Sequence, residues 1–372
     1  MSRSDQHGEI RKRRQVAALR EGRAAANRPV DSIATSAEQD TIEIMETTRP
    51  SALADSDKPV ERFGQLLPPE SIRRLSVLKP GVAVAHVFLE WVLIIPAIWA
   101  AYAVYRWNVY AGVVAYFFAW AWVGARQHAL AILMHEGAHY RLFPRKWLND
   151  LFAELFTAWP IMISVRAYRQ HHFAHHRQPN TDDDPDWILR DDQDWQFPKS
   201  RAGLAKVFLF DVLGLNMKDQ MRFFNRYFYP RGRKIWLDYL SWVYYAALFG
   251  TLWYFSLLPV YLMYWLVPLL TSLKAVLRMR TIAEHYGLEY DHPLRQTRTT
   301  YPGLLGKLFI SPKNIGLHLD HHLYPSVPFY NLPALHRELL DVEEFKSQAH
   351  LTHTYRGVIR ECLDQKSVQA SA

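Results

Sequence analysis

The stretch VYAGVVAYFFAWAWVGARQHALAILMHEGAH, residues 109–139, predicts where a membrane helix ends and a polar site begins. From Val109 the apolar run continues to Met134 and is broken only by the polar triplet RQH at 126–128. About 20 residues of α-helix cross the hydrocarbon core of a bilayer, so a helix that enters near Val109 emerges close to this triplet. The sequence HEGAH that closes the stretch then lies one to two turns beyond the membrane.

Three further apolar stretches are long enough to cross a membrane. The last two are expected to form a hairpin turned near Pro259, and their helical pattern continues past the membrane through LRMRTIAEHY. Nearly all Lys and Arg residues lie in the tails or the central segment, so the positive-inside rule places both termini and residues 135–234 in the cytosol. The four predicted spans lie near 84–105, 109–134, 235–254 and 257–277.

The sequence therefore predicts an all-α membrane protein of about four transmembrane helices, with a cytosolic helical cap that carries the histidine-rich site. Residues 1–60 are rich in Arg, Ala, Ser, Thr and Asp without sustained periodicity, and we interpret them as a disordered cytosolic tail. Residues 61–345 form the membrane domain in this division, and residues 346–372 form a C-terminal tail.

Composition excludes several other classes of protein. The 372 residues include a single cysteine, Cys362, which excludes internal disulfides and metal sites built from several cysteines. Aromatic residues make up 14% of the chain, with thirteen Trp, as suits a protein with long membrane interfaces. A net charge of +8 is explained by basic residues on the cytoplasmic side of a membrane, so we expect no nucleic acid partner.

The histidines form three boxes, HEGAH, RQHHFAHH and HLDHH, together with two single positions. Spacings of three or four residues place side chains on one helix face, so each box can direct several imidazoles at a common point. The helix after the fourth span delivers a single histidine at the height of the first box. The candidates are His135 and His139; His171, His172, His175 and His176; His318, His321 and His322; and the singles His128 and His285.

Two of these positions stay open on the residues alone. His128 lies two turns before His135 on the same face, where it is either next to the site or an interfacial residue. In the second box the pairs His171/His175 and His172/His176 compete for one helix face. By contrast, we interpret His336 and His353, in the polar C-terminal part of the chain, as bystanders.

Other metals and reactions fit parts of the pattern. HEGAH matches the HExxH signature of zinc proteases, in which Glu136 would be the general base. A catalytic zinc uses three protein ligands, whereas the boxes offer eight or nine histidines. A zinc transporter would hold its ionisable residues inside the spans, whereas these lie beyond them. The protease remains as a remote alternative, since imidazole suits Zn, Cu, Fe and Ni alike.

In their order and in their spacing relative to the spans, HEGAH, HHFAHH, HLDHH and the histidine of RTIAEH resemble the membrane fatty acid desaturase/hydroxylase superfamily. The resemblance covers roughly residues 80–340. It implies a centre of two non-haem iron ions that consumes O₂ and two electrons per turnover. The ligands that it implies are His135, His139, His172, His175, His176, His285, His318, His321 and His322.

Carboxylates near the boxes are candidates for orienting the imidazoles, because a metal-bound histidine commonly donates its second N–H to an acceptor. Glu136, Glu284 and Asp320 are adjacent to implied ligands, and Asp182–Asp184 follow the second box. The same residues also fit ordinary cytosolic charge, and the sequence does not choose between the two interpretations.

The resemblance also sets the expected substrate and partners. The runs HHRQPNTDDDPDW and AEHYGLEYDHPLRQTRTT are similar to bacterial acyl desaturases, so we expect a double bond to be introduced into a fatty acyl chain in acyl-lipid, acyl-CoA or acyl-carrier form. The alternative is a hydroxylase or ketolase of a carotenoid, alkane or other lipid-like metabolite. We expect at least one of the aromatic residues before the first box to line a substrate tunnel, namely Phe117, Phe118, Trp120 or Trp122.

The source of electrons is expected to be a separate protein. The sequence contains no His-Pro-Gly-Gly haem signature, no set of cysteines for an iron–sulfur centre and no Gly-rich dinucleotide loop. We therefore expect a ferredoxin, or a haem cytochrome with its reductase, to reduce the centre. The expected location is a membrane with the active site on its cytoplasmic side, a bacterial inner membrane rather than the endoplasmic reticulum.

Overall fold

The structure is a computed structural model that describes residues 66–181, 183–188, 193–290 and 292–363. These residues belong to one unit of the chain, residues 58–372. The tail predicted over residues 1–60 lies outside the described residues, and so does Asp182.

The described chain is mostly helical. Up to residue 254 its helices are α1 Pro69–Leu75, α2 Pro80–Trp107, α3 Val109–Ala138, α4 Lys146–Ala153, α5 Val165–Arg177, α6 Pro185–Ile188, α7 Arg201–Val212, α8 Met217–Tyr227 and α9 Trp236–Tyr254. A π-helical turn, Glu154–Ala158, and a 3₁₀ turn, Trp159–Ile161, continue α4, and a further 3₁₀ turn spans Gln193–Trp195.

The rest of the described chain combines helices with one pair of short strands. The helices are α10 Leu258–Tyr261, α11 Val267–Leu270, α12 Ser272–His285, α13 Leu304–Phe309, α14 His318–Leu323, α15 Leu332–Leu340, α16 Glu343–Gln348 and α17 Thr354–Cys362. The strands are β1 Thr299–Tyr301 and β2 Leu351–His353. A π-helical turn, Leu262–Leu266, joins α10 to α11, and 3₁₀ turns span Pro293–Arg295 and Pro312–Asn314.

Three described helices are long and apolar enough to cross a membrane by length and composition. They are Pro80–Trp107, Val109–Ala138 and the continuous run Leu258–His285, which joins α10 to α12. These correspond to the first, second and fourth predicted spans. The third predicted span, near 235–254, forms the 19-residue helix α9 but is not among the three. The α9 sequence is rich in Trp and Tyr, which rank low on hydropathy scales although their rings are largely apolar, so a fourth span stays a prediction.

Two close contacts fix the membrane helices around α3. Asn108 ends α2, and its side chain accepts hydrogen bonds from the backbone N–H groups of Tyr110 and Ala111, so α2 and α3 form a helical hairpin. A Cβ added at Gly124 of α3 would lie 2.3 Å from Oγ of Ser272. Only glycine permits this approach, which brings α12 alongside α3. The helix that carries the first box and the helix that ends at His285 are therefore neighbours.

A buried ion cluster explains the arginine that interrupts the second span. Nη1 of Arg126 lies 3.2 Å from Oε2 of Glu90 on α2, and Nζ of Lys313 lies 2.6 Å from Oε1 of the same carboxylate. All three side chains are at most 7% exposed. Charged groups in such surroundings need partners, since an unpaired buried charge is costly. The cluster ties the segment just before the third box to the membrane helices.

The main apolar core lies below the histidines, where α3 and α12 face the turns after α4. It includes Leu130, Met134, Ile161, Leu269 and Leu273, all buried. Burying apolar surface is the dominant favourable term in folding, at roughly 25 cal/mol per Å². The core therefore holds the helix ends that carry the first box and His285 at a constant separation.

The structure departs from the predicted all-α class and domain division at the C-terminal end. β2 pairs in parallel with β1, with Thr300 opposite Thr352. The following helix α17 buries Val358 and Cys362 completely. Residues 351–363 thus pack onto the domain that the sequence ended at 345. The segment is polar in sequence, and its partner strand is some 50 residues away, so no local pattern reveals the pairing. The coarser prediction of a mostly helical protein is confirmed.

Candidate metal centre

The first box occupies the end of α3, where the helix is enclosed by protein. His135 is 1% exposed and His139, which caps the helix, is 8% exposed. Between them, Gly137 allows α4 to approach, since an added Cβ would lie 2.6 Å from Cβ of Ala153. The side chain of Asn149 on α4 donates to the carbonyl of Gly137 at 2.8 Å. Helix α4 thus packs closely against the backbone of the first box at Gly137, and the imidazoles of His135 and His139 are buried.

The second box lies on α5, whose first turn is fixed by a capped N-terminus. Oγ of Ser164 accepts from the N–H of Ala167 and donates to the buried carboxylate of Glu154 at 3.0 Å. This orientation turns His172 and His175 into the interior, where they are 5% and 3% exposed. His176 is partly buried next to them.

His171 and His128, the two positions that the sequence left open, do not join the other histidines of the boxes. His171 packs its ring edge-on against Tyr227, with centroids 5.5 Å apart, on the other side of α5. His128 is fully buried, and neither of its ring nitrogens has a hydrogen-bond partner among the described residues. The face of α5 that meets the first box is therefore the one with His172 and His176.

The third box and His285 come from two chain segments that meet at the top of α12. His318, His321 and His322 lie on the short helix α14. His285 is the last residue of α12, and the buried guanidinium of Arg298 donates to the carbonyls of Ile282 and Ala283 just before it. A cation that satisfies the last carbonyls of a helix stabilises that end, so Arg298 positions His285.

Nine imidazoles converge in two groups. Within each group one ring nitrogen of every member lies within 4.8 Å of those of the others. The five-histidine group consists of His135, His139, His172, His176 and His321. The four-histidine group consists of His175, His285, His318 and His322. The structure thus brings together all nine histidines that the family resemblance implied as ligands, and it divides them into two groups.

The spacing of the ring nitrogens fits a metal ion at each group. Nε2 of His172 lies 2.8 Å from Nε2 of His139 and 3.0 Å from Nε2 of His176. In the four-histidine group, Nε2 of His318 lies 2.9 Å from that of His285 and 3.0 Å from that of His322. Two nitrogens bound at about 2.1 Å to one ion at right angles are about 3.0 Å apart.

The surroundings of His135 also fit a bound metal ion, because its ring nitrogens have no hydrogen-bond partners among the described residues. Neither of its ring nitrogens makes a hydrogen bond with the described residues, although both are buried. A buried polar group without a partner costs free energy, and coordination of a metal ion would satisfy the ring nitrogen.

The electrostatics favour neutral imidazoles, the form that binds metals. Burial lowers the pKa of His139 to about 3, and the charges of Arg141 and Arg169 add to the shift. Burial is also the largest cause that lowers the pKa of His172 and of His321 well below the ordinary value, followed by neighbouring histidines. At neutral pH these side chains are uncharged, so their lone pairs are available to a cation.

One of the predicted orienting carboxylates makes the expected contact directly. Oδ2 of Asp184, which is 1% exposed, lies 2.8 Å from Nδ1 of His175. The same carboxylate accepts from the backbone N–H groups of Asn180 and Asp186, both at 2.8 Å. A carboxylate held in this way fixes the tautomer and the ring orientation of its histidine.

The other predicted carboxylates contribute less directly. Oε1 of Glu284 lies 3.5 Å from Nδ1 of His318, and Oε1 of Glu136 lies 3.6 Å from Nδ1 of His135. Asp320 faces away from the nine histidines. Its Oδ1 lies 2.6 Å from Nδ1 of His336, and its Oδ2 accepts from Oγ1 of Thr299.

His336, which the sequence set aside as a bystander, is therefore part of the support for α14. Its ring is buried, and its Nε2 lies 2.6 Å from the hydroxyl of Tyr301 on β1. Together with Asp320 it joins the third box to the strand pair. No local pattern points to His336, because its partners lie on two separate elements.

A cavity of about 180 Å³ reaches the histidines from the side of α8 and α12. His172, His175, His285 and His318 form part of its wall, and Met134, Ile161 and Phe223 supply apolar surface. None of the four aromatic residues predicted to line a tunnel borders it. Phe117 and Phe118 are 61% and 75% exposed, and Trp120 and Trp122 donate to Thr271 and to the carbonyl of Leu93. The prediction placed the lining of the cavity on α3 before the first box, whereas in the structure α8 supplies much of that lining.

Replacing Asp184 with Ala is expected to weaken metal binding by about 10–100-fold, because His175 loses the acceptor that orients it. The measurement is the metal that the purified protein retains, by elemental analysis, after dialysis against a chelator. Asp183→Ala is the matched control, since Asp183 is exposed. Equal retention by both variants would show that the contact of Asp184 does not orient a ligand.

Comparison with known proteins gives one family and several relatives. Residues 111–355 match the family described as fatty acid desaturase. Dihydrorhizobitoxine desaturase of Bradyrhizobium elkanii is 27% identical over 236 residues, which cover 56% of this chain and 63% of the relative. The sn-1 acyl-lipid omega-3 desaturase (ferredoxin) of Nostoc sp. (strain 36) is 25% identical over 231 residues, 57% of this chain and 64% of the relative.

A relative of another activity also matches. Beta-carotene ketolase of Paracoccus sp. (strain N81106 / MBIC 01143) is 26% identical over 210 residues, which cover 55% of this chain and 72% of the relative. The chain spans a little under two thirds of the length of the two desaturases above.

Proposed function

Because the chain belongs to the fatty acid desaturase family, we propose that it is a membrane-bound di-iron oxidoreductase that uses O₂ to introduce a double bond into a fatty acyl chain. The observation that carries the proposal is the convergence of nine histidines, seven of them buried and two partly buried, in two groups beside one cavity. The acyl chain is carried as an acyl-lipid, an acyl-CoA or an acyl-carrier form.

The nine histidines are the proposed iron ligands, five for one ion and four for the other. Iron would activate O₂ and so supply the oxidising power toward an unactivated C–H bond, which acid–base side chains lack because such a bond offers no acidic proton. The protein holds the imidazoles neutral by burial and orients His175 through Asp184. The apolar side of the cavity binds the chain and excludes water, so that the bond to be oxidised is held next to the histidines.

The reaction requires electrons from outside the chain. Removing two hydrogen atoms from a –CH₂–CH₂– unit provides two of the four electrons that reduce O₂ to two water molecules. A separate protein supplies the other two, and we propose a ferredoxin or a haem cytochrome with its reductase. The name of the Nostoc relative specifies ferredoxin, which supports this type of donor.

The proposed location is a membrane, with the metal centre on the cytoplasmic side. His135 and His285 lie at the ends of two apolar helices that run side by side. Both histidine groups therefore lie at the same end of these helices. We propose α9 as a further span, which takes the chain across the membrane so that the run Leu258–His285 can return it to that end. The distribution of Lys and Arg supports a cytoplasmic cap. We propose a bacterial inner membrane as the location.

A hydroxylase or ketolase is the second candidate, favoured by the match to the Paracoccus ketolase. The same oxidant produces either outcome, and the placement of the substrate C–H bonds decides between them. The zinc protease has less support. Oε2 of Glu136 accepts from the backbone N–H of Phe329 at 2.9 Å, and the HEGAH histidines belong to a group of five rather than three.

Expression in a bacterial host, followed by analysis of its total lipids, tests the function. The expected result is a new double bond in acyl chains that is absent from cells with His322→Ala at the same membrane abundance. New hydroxyl or keto groups in place of double bonds would identify the second candidate. A protein that is inserted, loaded with iron and supplied with reductant, yet produces none of these compounds, would contradict the proposal.

A further inference from the structure

Besides Asp186, Arg280 and Glu284, a charged wall from α8 and α12 lines the cavity, and a purely apolar substrate would not need such a wall. Lys274 and Arg278, one turn apart on α12, form this wall together with Asp219 and Arg222 of α8. Asp219 lies 3.7 Å from both Nζ of Lys274 and Nη2 of Arg278. The apolar wall described above faces this cluster, so the cavity is suited to an amphipathic molecule.

Arg278 is the distinctive member of the charged wall. Its side chain is completely buried, with Nε and Nη2 bonded to the carboxylate of Asp211. Its guanidinium lies over the ring of Trp195, 4.4 Å from the centroid, which fixes the plane of the group. Nη1 remains, and this buried nitrogen has no hydrogen-bond partner among the described residues. A buried cationic N–H without an acceptor is costly, and an anionic oxygen that entered the cavity and reached this nitrogen would satisfy it.

The position of Arg278 relates it to the metal centre. It precedes His285 by seven residues on the same helix, and both border the cavity. Seven residues of α-helix span about 10 Å. A molecule whose anionic end meets Nη1 of Arg278 therefore has room for a short apolar segment before it reaches the histidines.

We propose that Arg278, with Lys274 next to it, binds the anionic group of the substrate inside the cavity. This inference narrows the substrate forms given under the proposed function. It excludes an acyl-lipid whose head group stays at the bilayer surface and requires an amphipathic acid or phosphate ester whose charged end enters the protein. The oxidised bond lies at a distance from the anionic end that α12 sets. The proposal rests on the proposed function only in taking this cavity as the substrate site.

Direct binding tests this without turnover. The probes are decanoate, decyl phosphate and methyl decanoate, each measured by equilibrium dialysis with the iron-loaded full-length protein in detergent. We expect one of the two anions to bind roughly 10–100-fold more tightly than the ester, the ratio of a lost charge-assisted hydrogen bond. Which anion binds more tightly identifies carboxylate or phosphate as the recognised group.

Two variants localise the effect. Arg278→Lys retains a charge beside Asp211 but lacks the Nη1 donor, and it should weaken binding of the anion roughly tenfold while leaving the ester unchanged. Lys274→Gln leaves the pair of Arg278 and Asp211 intact and should weaken binding of the anion severalfold. If Arg278→Lys does not fold, Lys274→Gln alone tests whether the charged wall binds the anion. Arg166→Lys is the matched control, since Arg166 pairs with Asp238 away from the cavity.

Equal affinity of the wild-type protein for the anions and the ester would overturn the proposal. The proposal would also be overturned if Arg278→Lys and Lys274→Gln weakened binding of the anion and binding of the ester by the same factor. Iron content and lipid products are measured separately, so either failure is distinguishable from failure of the proposed function.

Discussion

Replacing His139, His175 or His321 with Ala is expected to abolish product formation, while the variant proteins stay inserted in the membrane. His139 and His321 belong to the five-histidine group and His175 to the four-histidine group. Loss of a residue that merely orients a ligand costs about 10–100-fold in metal affinity or activity, and loss of a ligand should cost more. The measurement is product in host lipids, normalised to the amount of protein in the membrane fraction.

The structure determines which histidine is a suitable control. His353 is exposed on β2 and lies outside both groups, so His353→Ala should retain most of the activity. His336 is unsuitable, because its contact with Asp320 supports the helix of the third box. Active variants at the three box positions, together with an inactive His353→Ala protein, would refute the assignment of ligands.

Two local rules made the histidine boxes and His285 recognisable in the sequence, and the family resemblance then implied the set of nine. Helical spacing aligns imidazoles within a box, and the length of a membrane span determines where the first box and His285 emerge. Helical spacing alone did not decide between His171 and His172, and it was the family resemblance that implied His172. The choice depends on how α5 is rotated, and that rotation is set by contacts of Ser164 and Glu154 with the chain before the helix.

The residues that the sequence missed act over long separations. Arg298 reaches the carbonyls at the end of α12, and His336 reaches Asp320. Nothing in the neighbourhood of either residue in the sequence distinguishes it from surface charge. The same holds for the charged wall, because Arg278 meets Asp211 only when α7 packs against α12. The apolar helices were clearer, since three of the four predicted spans coincide with helices that are long and apolar enough to cross a membrane, and α9 is the exception.

The two histidine groups are expected to respond differently to the loss of one ligand. The purified wild-type protein should hold close to two iron ions per chain, one for each group. Four protein ligands are enough to close a metal site, so a group of five can lose one and still bind, whereas a group of four is left with three. His322→Ala should therefore lower the content to about one iron per chain, and His139→Ala should keep most of the second iron although it loses activity.

Elemental analysis, with protein quantified by amino-acid analysis, measures both contents in preparations grown with the same iron supply. The two substitutions are chemically identical, and both remove a histidine ring that lies among its group, so a general loss of folding would lower both contents equally. An equal loss would thus contradict the division into five and four ligands. One zinc and no iron in the wild-type protein would contradict the di-iron centre itself, and it would return the HEGAH sequence to its interpretation as a zinc site.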